Sequence, residues 1–277
     1  MPFAKVNGIR MRYDVYGDGP PVMLIAGTAQ PRTTFELSPM PLLKDEFKVI
    51  VFDHCGVGLS DSRPGDYSTE MFAEDAAGLL DHLQLTKVHL LGHSMGGRVL
   101  QWLALKRPDL VRSLVFAATG PGTIDPAKPR VQGVPLKMAR RLAEIGWPAY
   151  RHEAFNTNFF TEQFAHEYPE RVNELVGAFW SGPAPSIENM LKHVVGRQKH
   201  DTSTLVSGIT HPALVIDGDM DHGWEDSGHG GHVEQSHWMH EHLPQSEFKL
   251  IPGVSHGFFW QAPAESVAIL KEFWARN

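Results

Sequence analysis

Residues 92–96 read Gly92-His93-Ser94-Met95-Gly96, and this pentapeptide sits between two runs of different character. Before it, Lys87-Val88-His89-Leu90-Leu91 is mostly apolar and bounded, which predicts a buried strand. After it, Gly97 to Lys106 is rich in Leu, Ala, Arg and Gln and predicts a helix. A G-x-S-x-G between strand and helix is a nucleophile elbow. The chain must reverse sharply there, which forces the serine into a strained backbone conformation. Side chains at positions 92 and 96 would collide across the turn, and glycine carries none. The strain lifts the Ser94 hydroxyl out of the sheet and points the first helical N–H groups at the reacting carbonyl.

The surrounding pattern supports that placement. Ile9 to Tyr16 alternates like a hairpin strand, and Pro21 to Ala26 and Phe47 to Phe52 are short buried runs. A helical stripe runs from Thr69 to Leu83, and Ser113 to Ala117 is a further strand. Strands alternating with helices imply a mostly parallel, doubly wound α/β sheet covered on both faces. The rhythm breaks at Gly120-Pro121-Gly122. Helical stretches follow over Leu136 to Ile145, Trp147 to Asn156, Thr161 to Trp180 and Ser186 to Gln198. Sheet pattern resumes at Pro212 to Asp217 and continues through Glu247 to Ile251 and a terminal helix from Ala264 to Trp274. The expected division is a core domain of residues 1–122 and 209–277, with 123–208 inserted as a helical block.

Composition removes several function classes. The 277 residues carry a formal net charge of -7 with no basic run, which disfavours nucleic acid and anionic membranes as partners. No apolar run is long enough to span a bilayer, and the first residues lack a signal-peptide core. The single cysteine, Cys55, excludes an intrachain disulfide. A cytoplasmic location is expected, and self-association is left open.

A serine hydroxyl needs a base, and the base needs an orienting carboxylate. Gly253-Val254-Ser255-His256-Gly257 follows a late strand and places His256 in a loop. Gly218-Asp219-Met220-Asp221 follows the strand before it. The order Ser94, Asp221, His256 is the one expected for α/β-hydrolases. On these residues, with Asp53, Gly56, Gly58, Ser60 and Asp61, the chain resembles the α/β-hydrolase fold superfamily over most of its length.

The resemblance implies Asp221 rather than Asp219 as the acid, three residues after the strand-ending glycine. It implies an oxyanion hole from the backbone N–H groups of Met95 and Thr28. It makes 123–208 a cap over the strand ends, with some of Met138, Trp147, Phe155, Phe159, Phe160, Phe164, Phe179, Trp180 and Met190 forming an apolar pocket. Trp260 is expected near the site entrance. Two departures concern loops: Ala26 replaces the family's histidine before Gly27, and Cys55 stands where the family often has arginine. His54, His93 and Cys55 read as structural.

A third departure is extra sequence after Asp221, a Gly/His-rich segment through His232, followed by His237, His240 and His242. His237 and His240 stand about one helical turn apart, as metal ligands can. Without a cysteine or an H-E-x-x-H pattern, the segment reads as a polar loop shaping the site's edge, then a solvated helix face. No metal and no cofactor is assigned. Asp226 ranks behind Asp221 as the acid.

The expected function is serine-dependent hydrolysis of a small-molecule carboxylic ester or lactone through an acyl-enzyme. The alternatives are a carbon–carbon bond hydrolase of ring-cleavage products, a cofactor-free perhydrolase or haloperoxidase, and a ligand-binding receptor on the same fold. Gly257 stands where the carbon–carbon hydrolases tend to carry Trp.

Overall fold

The computed structural model describes residues 1–127, 133–156, 159–179, 182–223 and 231–277, without the side chains of 151, 154–156 and 178–179. The strands are β1 (Phe3–Val6), β2 (Ile9–Tyr16), β3 (Pro21–Ile25), β4 (Lys48–Phe52), β5 (Val88–His93), β6 (Val111–Ala117), β7 (Ala213–Gly218) and β8 (Ser246–Ile251). They form one sheet in the order β1-β2-β4-β3-β5-β6-β7-β8. The pairs β1/β2 and β2/β4 are antiparallel, and all later pairs are parallel. The order reverses around β3 and β5, and such a switch point opens a crevice at the strands' carboxyl ends.

The helices are α1 (Thr34–Leu37), α2 (Met40–Leu43), α3 (Thr69–His82), α4 (Met95–Lys106), α5 (Val134–Asn156), α6 (Glu162–Glu167), α7 (Pro169–Phe179), α8 (Ile187–Gln198), α9 (His232–His242), α10 (Phe258–Gln261) and α11 (Pro263–Arg276). Side chains alternate across the sheet with period two. Met23, Ile25, Leu90, Leu114 and Phe116 face one core with α3, α4 and Met239 of α9. Val22, Leu24, Leu91, Val115 and Ala117 face the other, with Leu270 and Phe273 of α11. Both faces are therefore covered, as a parallel sheet requires.

Helices α5 to α8 lie between β6 and β7 in the chain. The expected helix Thr161–Trp180 is two helices, α6 and α7. The break falls at Tyr168, whose φ is -132° and ψ 55°, directly before Pro169. A proline ring disfavours the helical conformation in the residue before it. Conversely, the stretches expected at 136–145 and 147–156 meet across a kink at Gly146, with φ 72°. Strand β1 was not anticipated; its residues pair antiparallel with β2. Among the described residues no helix is long and apolar enough to cross a membrane.

Candidate active site

β5 delivers the chain to Ser94, and α4 starts at the next residue. Ser94 has φ 57° and ψ -120°, a conformation costing roughly 1–3 kcal/mol in a non-glycine residue. Ser94 N–H donates to Ala117 O at 2.9 Å, and Ser94 O accepts from Gly97 N–H at 3.0 Å and Thr119 Oγ1 at 2.7 Å. Its hydroxyl does not cap α4. Between Val88 and Leu100, Ser94 alone is not buried. The flanking glycines are required by space. A Cβ on Gly96 would lie 2.1 Å from Ile25 O, and one on Gly92 2.3 Å from Gly96 O.

Parallel pairing of Gly218 with Ile251 sets the ends of β7 and β8 side by side. Asp221 lies three residues past β7 and His256 five past β8. The two meet: His256 Nδ1–H donates to Asp221 Oδ2 at 2.7 Å, with both residues buried. His93 Nε2 lies 2.9 Å from His256 O, so it donates from beneath the elbow and fixes that backbone. Burial pushes His93 down to about 3, which keeps the ring neutral in this role. His54 is similar, bonded to Ala26 O at 3.2 Å and pushed by burial down to about 3.

Sequence reasoning missed His232. It opens α9, is buried, and places Nδ1 2.9 Å from Asp221 Oδ1 and 3.0 Å from Oδ2. Its ring lies 4.6 Å from that of His256 at 31°. One carboxylate thus serves two imidazoles. Burial alone raises a carboxyl pKa, but the two imidazoles outweigh it and hold Asp221 well below the carboxylate range. Burial lowers His256, Asp221 opposes that, and His232 adds to the lowering. Beneath them Asp217 is buried, accepts from Ser236 Oγ at 2.7 Å, and is raised well above the carboxylate range by burial and by the charge of Asp221. The signal for His232 was its place after Gly231 at a helix start, eleven residues from Asp221.

Asp221, His232 and His256 can each offer a ligand atom within 4.8 Å of the others. Hydrogen bonds from both Nδ1 atoms already account for their approach. His237 and His240 part company: His237 lies 3.5 Å from Glu241 Oε1 in solvent, and His240 bonds Ser246 Oγ at 2.8 Å. Asp226 falls in 224–230, outside the described residues.

The loop after β3 approaches the serine: a Cβ on Gly27 would lie 3.3 Å from Ser94 Cβ. Gln30 braces this loop, accepting Gly27 N–H at Oε1 (3.3 Å). His193 of α8 accepts Ala29 N–H at Nδ1 (3.4 Å) and donates from Nε2 to Cys55 O (2.9 Å). The loop carrying Thr28 is thereby tied to the inserted helices. Met95 N–H opens α4 beside the serine. Cys55 is buried, as its structural reading expects.

A small cavity opens at Ser94, lined by Met95, Arg98, Thr119, Arg197 and His232 as well. Its described wall mixes Met95 and Ala118 with polar groups, and the described lining includes none of the cap aromatics from which an apolar pocket was expected. Phe159 packs instead against His256 (5.7 Å) and Trp260 (5.3 Å), and Gly257 N–H donates to its carbonyl at 2.6 Å. Met190 joins Ala29, Val57 and Leu142, with Met138 and Trp147 against them. The side chains of Phe155, Phe179 and Trp180 lie outside the described residues. Trp260, expected near the site entrance, is buried and donates from Nε1 to Thr34 O at 3.2 Å.

The geometry has parallels among known proteins. A thermophilic esterase of Thermogutta terrifontis, solved with malate bound, is 28% identical over 97% of this chain and 93% of its own, with a TM-score of 0.80. A Stutzerimonas stutzeri protein provisionally named carbamate hydrolase RutD is 29% identical over 89% of each chain. A Mycobacterium tuberculosis protein provisionally named non-heme bromoperoxidase BpoC is 26% identical over 96% of this chain and 98% of its own. These names differ in reaction but share one scaffold. Residues 20–263 match the description alpha/beta hydrolase fold, and the chain belongs to that family.

Proposed function

We propose that the protein is a serine hydrolase that cleaves a carboxylic ester or lactone. The observation that carries this reading is the strained, partly exposed Ser94 at the head of α4, beside a buried Asp221–His256 pair bonded at 2.7 Å. His256 takes the Ser94 proton as Oγ attacks the carbonyl carbon. The N–H groups of Thr28 and Met95 hold the oxyanion, each worth about 3–4 kcal/mol in such sites. His256 then protonates the leaving alcohol, and water resolves the acyl-enzyme by the reverse proton route. Asp221 fixes the His256 tautomer and supports the imidazolium. The esterase among its relatives favours this chemistry. The relative named for bromoperoxidase keeps perhydrolysis as a second reading, since peroxide would replace water on the same acyl-enzyme.

A fluorophosphonate probe tests this without a guessed substrate. One adduct on Ser94, absent in His256→Ala, is the expected result. Folded protein that takes no adduct at Ser94 would overturn it in favour of a ligand-binding role.

A further inference from the structure

Three of the buried and half-buried arginines are paired with carboxylates. Arg12 pairs with Asp14 at 2.7 Å, Arg32 with Asp53 at 3.2 Å and Arg63 with Asp75 at 2.7 Å. Arg197 departs from that pattern. It stands half-buried in the last turn of α8 and, like Arg12 and Arg63, leaves a shielded Nε without a hydrogen-bond partner; unlike them it has no carboxylate within ion-pair reach among the described residues. Burial presses its pKa down, yet a guanidinium does not deprotonate in a protein. The residue is half-buried, so its charge keeps contact with solvent while no carboxylate among the described residues answers it.

A helix C-terminus attracts basic side chains, and that could explain Arg197 without any ligand. The backbone there is already served: Arg98 Nη1 donates to Arg197 O at 2.8 Å. Arg98 follows Ser94 by one turn of α4, so this bond fastens the end of α8 beside the elbow. Both arginines line the cavity that contains Ser94. Asp221, the buried carboxylate at the site, is engaged by two imidazoles. Tyr150 also faces Arg197, but burial raises its phenol to about 12 and it stays neutral.

We propose that Arg197, docked by Arg98, is an anion subsite, and that the substrate is an ester or lactone bearing a free carboxylate. The inference rests on the serine-hydrolase reading above for the bond that is cleaved, but not for the anion that is bound. A carboxylate matches the planar guanidinium fork, and a charged hydrogen bond out of water discriminates strongly against a neutral isostere. The bound carboxylate supplies the counter-charge that the fold omits and turns the substrate so that its ester carbonyl lies toward Ser94.

The test compares mono-4-nitrophenyl glutarate with its neutral methyl ester, in which a methyl group removes the carboxylate charge, and follows 4-nitrophenol release from both. Wild-type protein is expected to favour the anionic ester by about tenfold or more in kcat/KM, chiefly through KM. Arg197→Met is expected to lower that ratio by about tenfold, and Arg197→Lys to lower it less. Circular dichroism checks both folds, and the wild-type ratio decides the matter if neither variant folds. Free glutarate is expected to raise the melting temperature of wild type more than that of Arg197→Met. A wild-type ratio at or below one, or an equal loss for both esters in Arg197→Met, overturns the subsite. Ser94 labelling with an unfavoured anion leaves the hydrolase reading and removes the subsite. A glutarate shift that depends on Arg197, without Ser94 labelling, does the reverse.

Discussion

Replacing His232 by leucine leaves Asp221 with one imidazole, and the consequence can be worked from the geometry. In the intact site His256 and His232 both donate to the same carboxylate, at 2.7 and 2.9 Å. A hydrogen bond to a charged group is worth about 1.5–3 kcal/mol, and sharing an acceptor weakens each. The second effect is repulsion. Rings 4.6 Å apart, both protonated at an effective dielectric near 20, would repel by roughly 3.6 kcal/mol. That ceiling equals about 2.6 pH units and applies only where both rings are charged. Both effects hold His256 below its ordinary value. Turnover needs neutral His256, so the acid limb of kcat/KM reports its protonation in the free protein. Loss of His232 should raise that limb by about one unit, within the ceiling above. At a pH below both limbs the variant is then about tenfold slower, while the alkaline plateau moves far less. The measurement is a pH–kcat/KM profile on a neutral ester, with His232→Asn as the control that keeps a donor. A limb that stays within about 0.3 unit, or moves down, would refute the claim that His232 competes for Asp221.

Two further outcomes test the scaffold. Gly96→Ala would put Cβ 2.1 Å from the Ile25 carbonyl oxygen, a clash with backbone on both sides. We expect insoluble protein or a stability loss beyond about 3 kcal/mol, read from urea unfolding; a near-normal midpoint would sink the steric account. Acid stability follows from buried neutral histidines: burial holds His54 and His93 down to about 3 and His193 to about 4. Their unfolded forms protonate near pH 6.5 while the folded forms do not, so stability is constant above that pH and falls as pH drops from 6.5 toward 4. Each contributes a slope of up to about 1.4 kcal/mol per pH unit, and a flat urea midpoint from pH 7 to 5 would refute it.

The elbow was readable because its constraints are local. Gly92 and Gly96 are dictated by atoms within one turn of chain, or by the adjacent β3 backbone. The apolar runs marked β3, β4, β5 and β7, since strands buried on both faces must be apolar throughout. What escaped depends on contacts distant in sequence. His232 meets Asp221 through a contact between the start of α9 and the residues after β7, eleven positions apart across glycine-rich sequence that says little about direction. Arg197 reaches the serine because Arg98, 99 residues away, receives the end of α8. The break at Tyr168–Pro169 was different. Its signal was present in Pro169, and helical periodicity on both sides masked it.

The charges at the strand ends explain why these late-found residues belong to one device. Two carboxyl groups are buried at and just past the end of β7, and their proton affinities are driven apart. Burial and the charge of Asp221 raise Asp217 well above the carboxylate range. Asp221 is held well below that range and accepts from His232 and His256 at Nδ1 and from Gly223 N–H at 3.2 Å. Arg197 has no carboxylate partner among the described residues, unlike Arg32 beside Asp53. A cavity that contains the nucleophile and an unanswered cation selects for substrates that bring the anion with them.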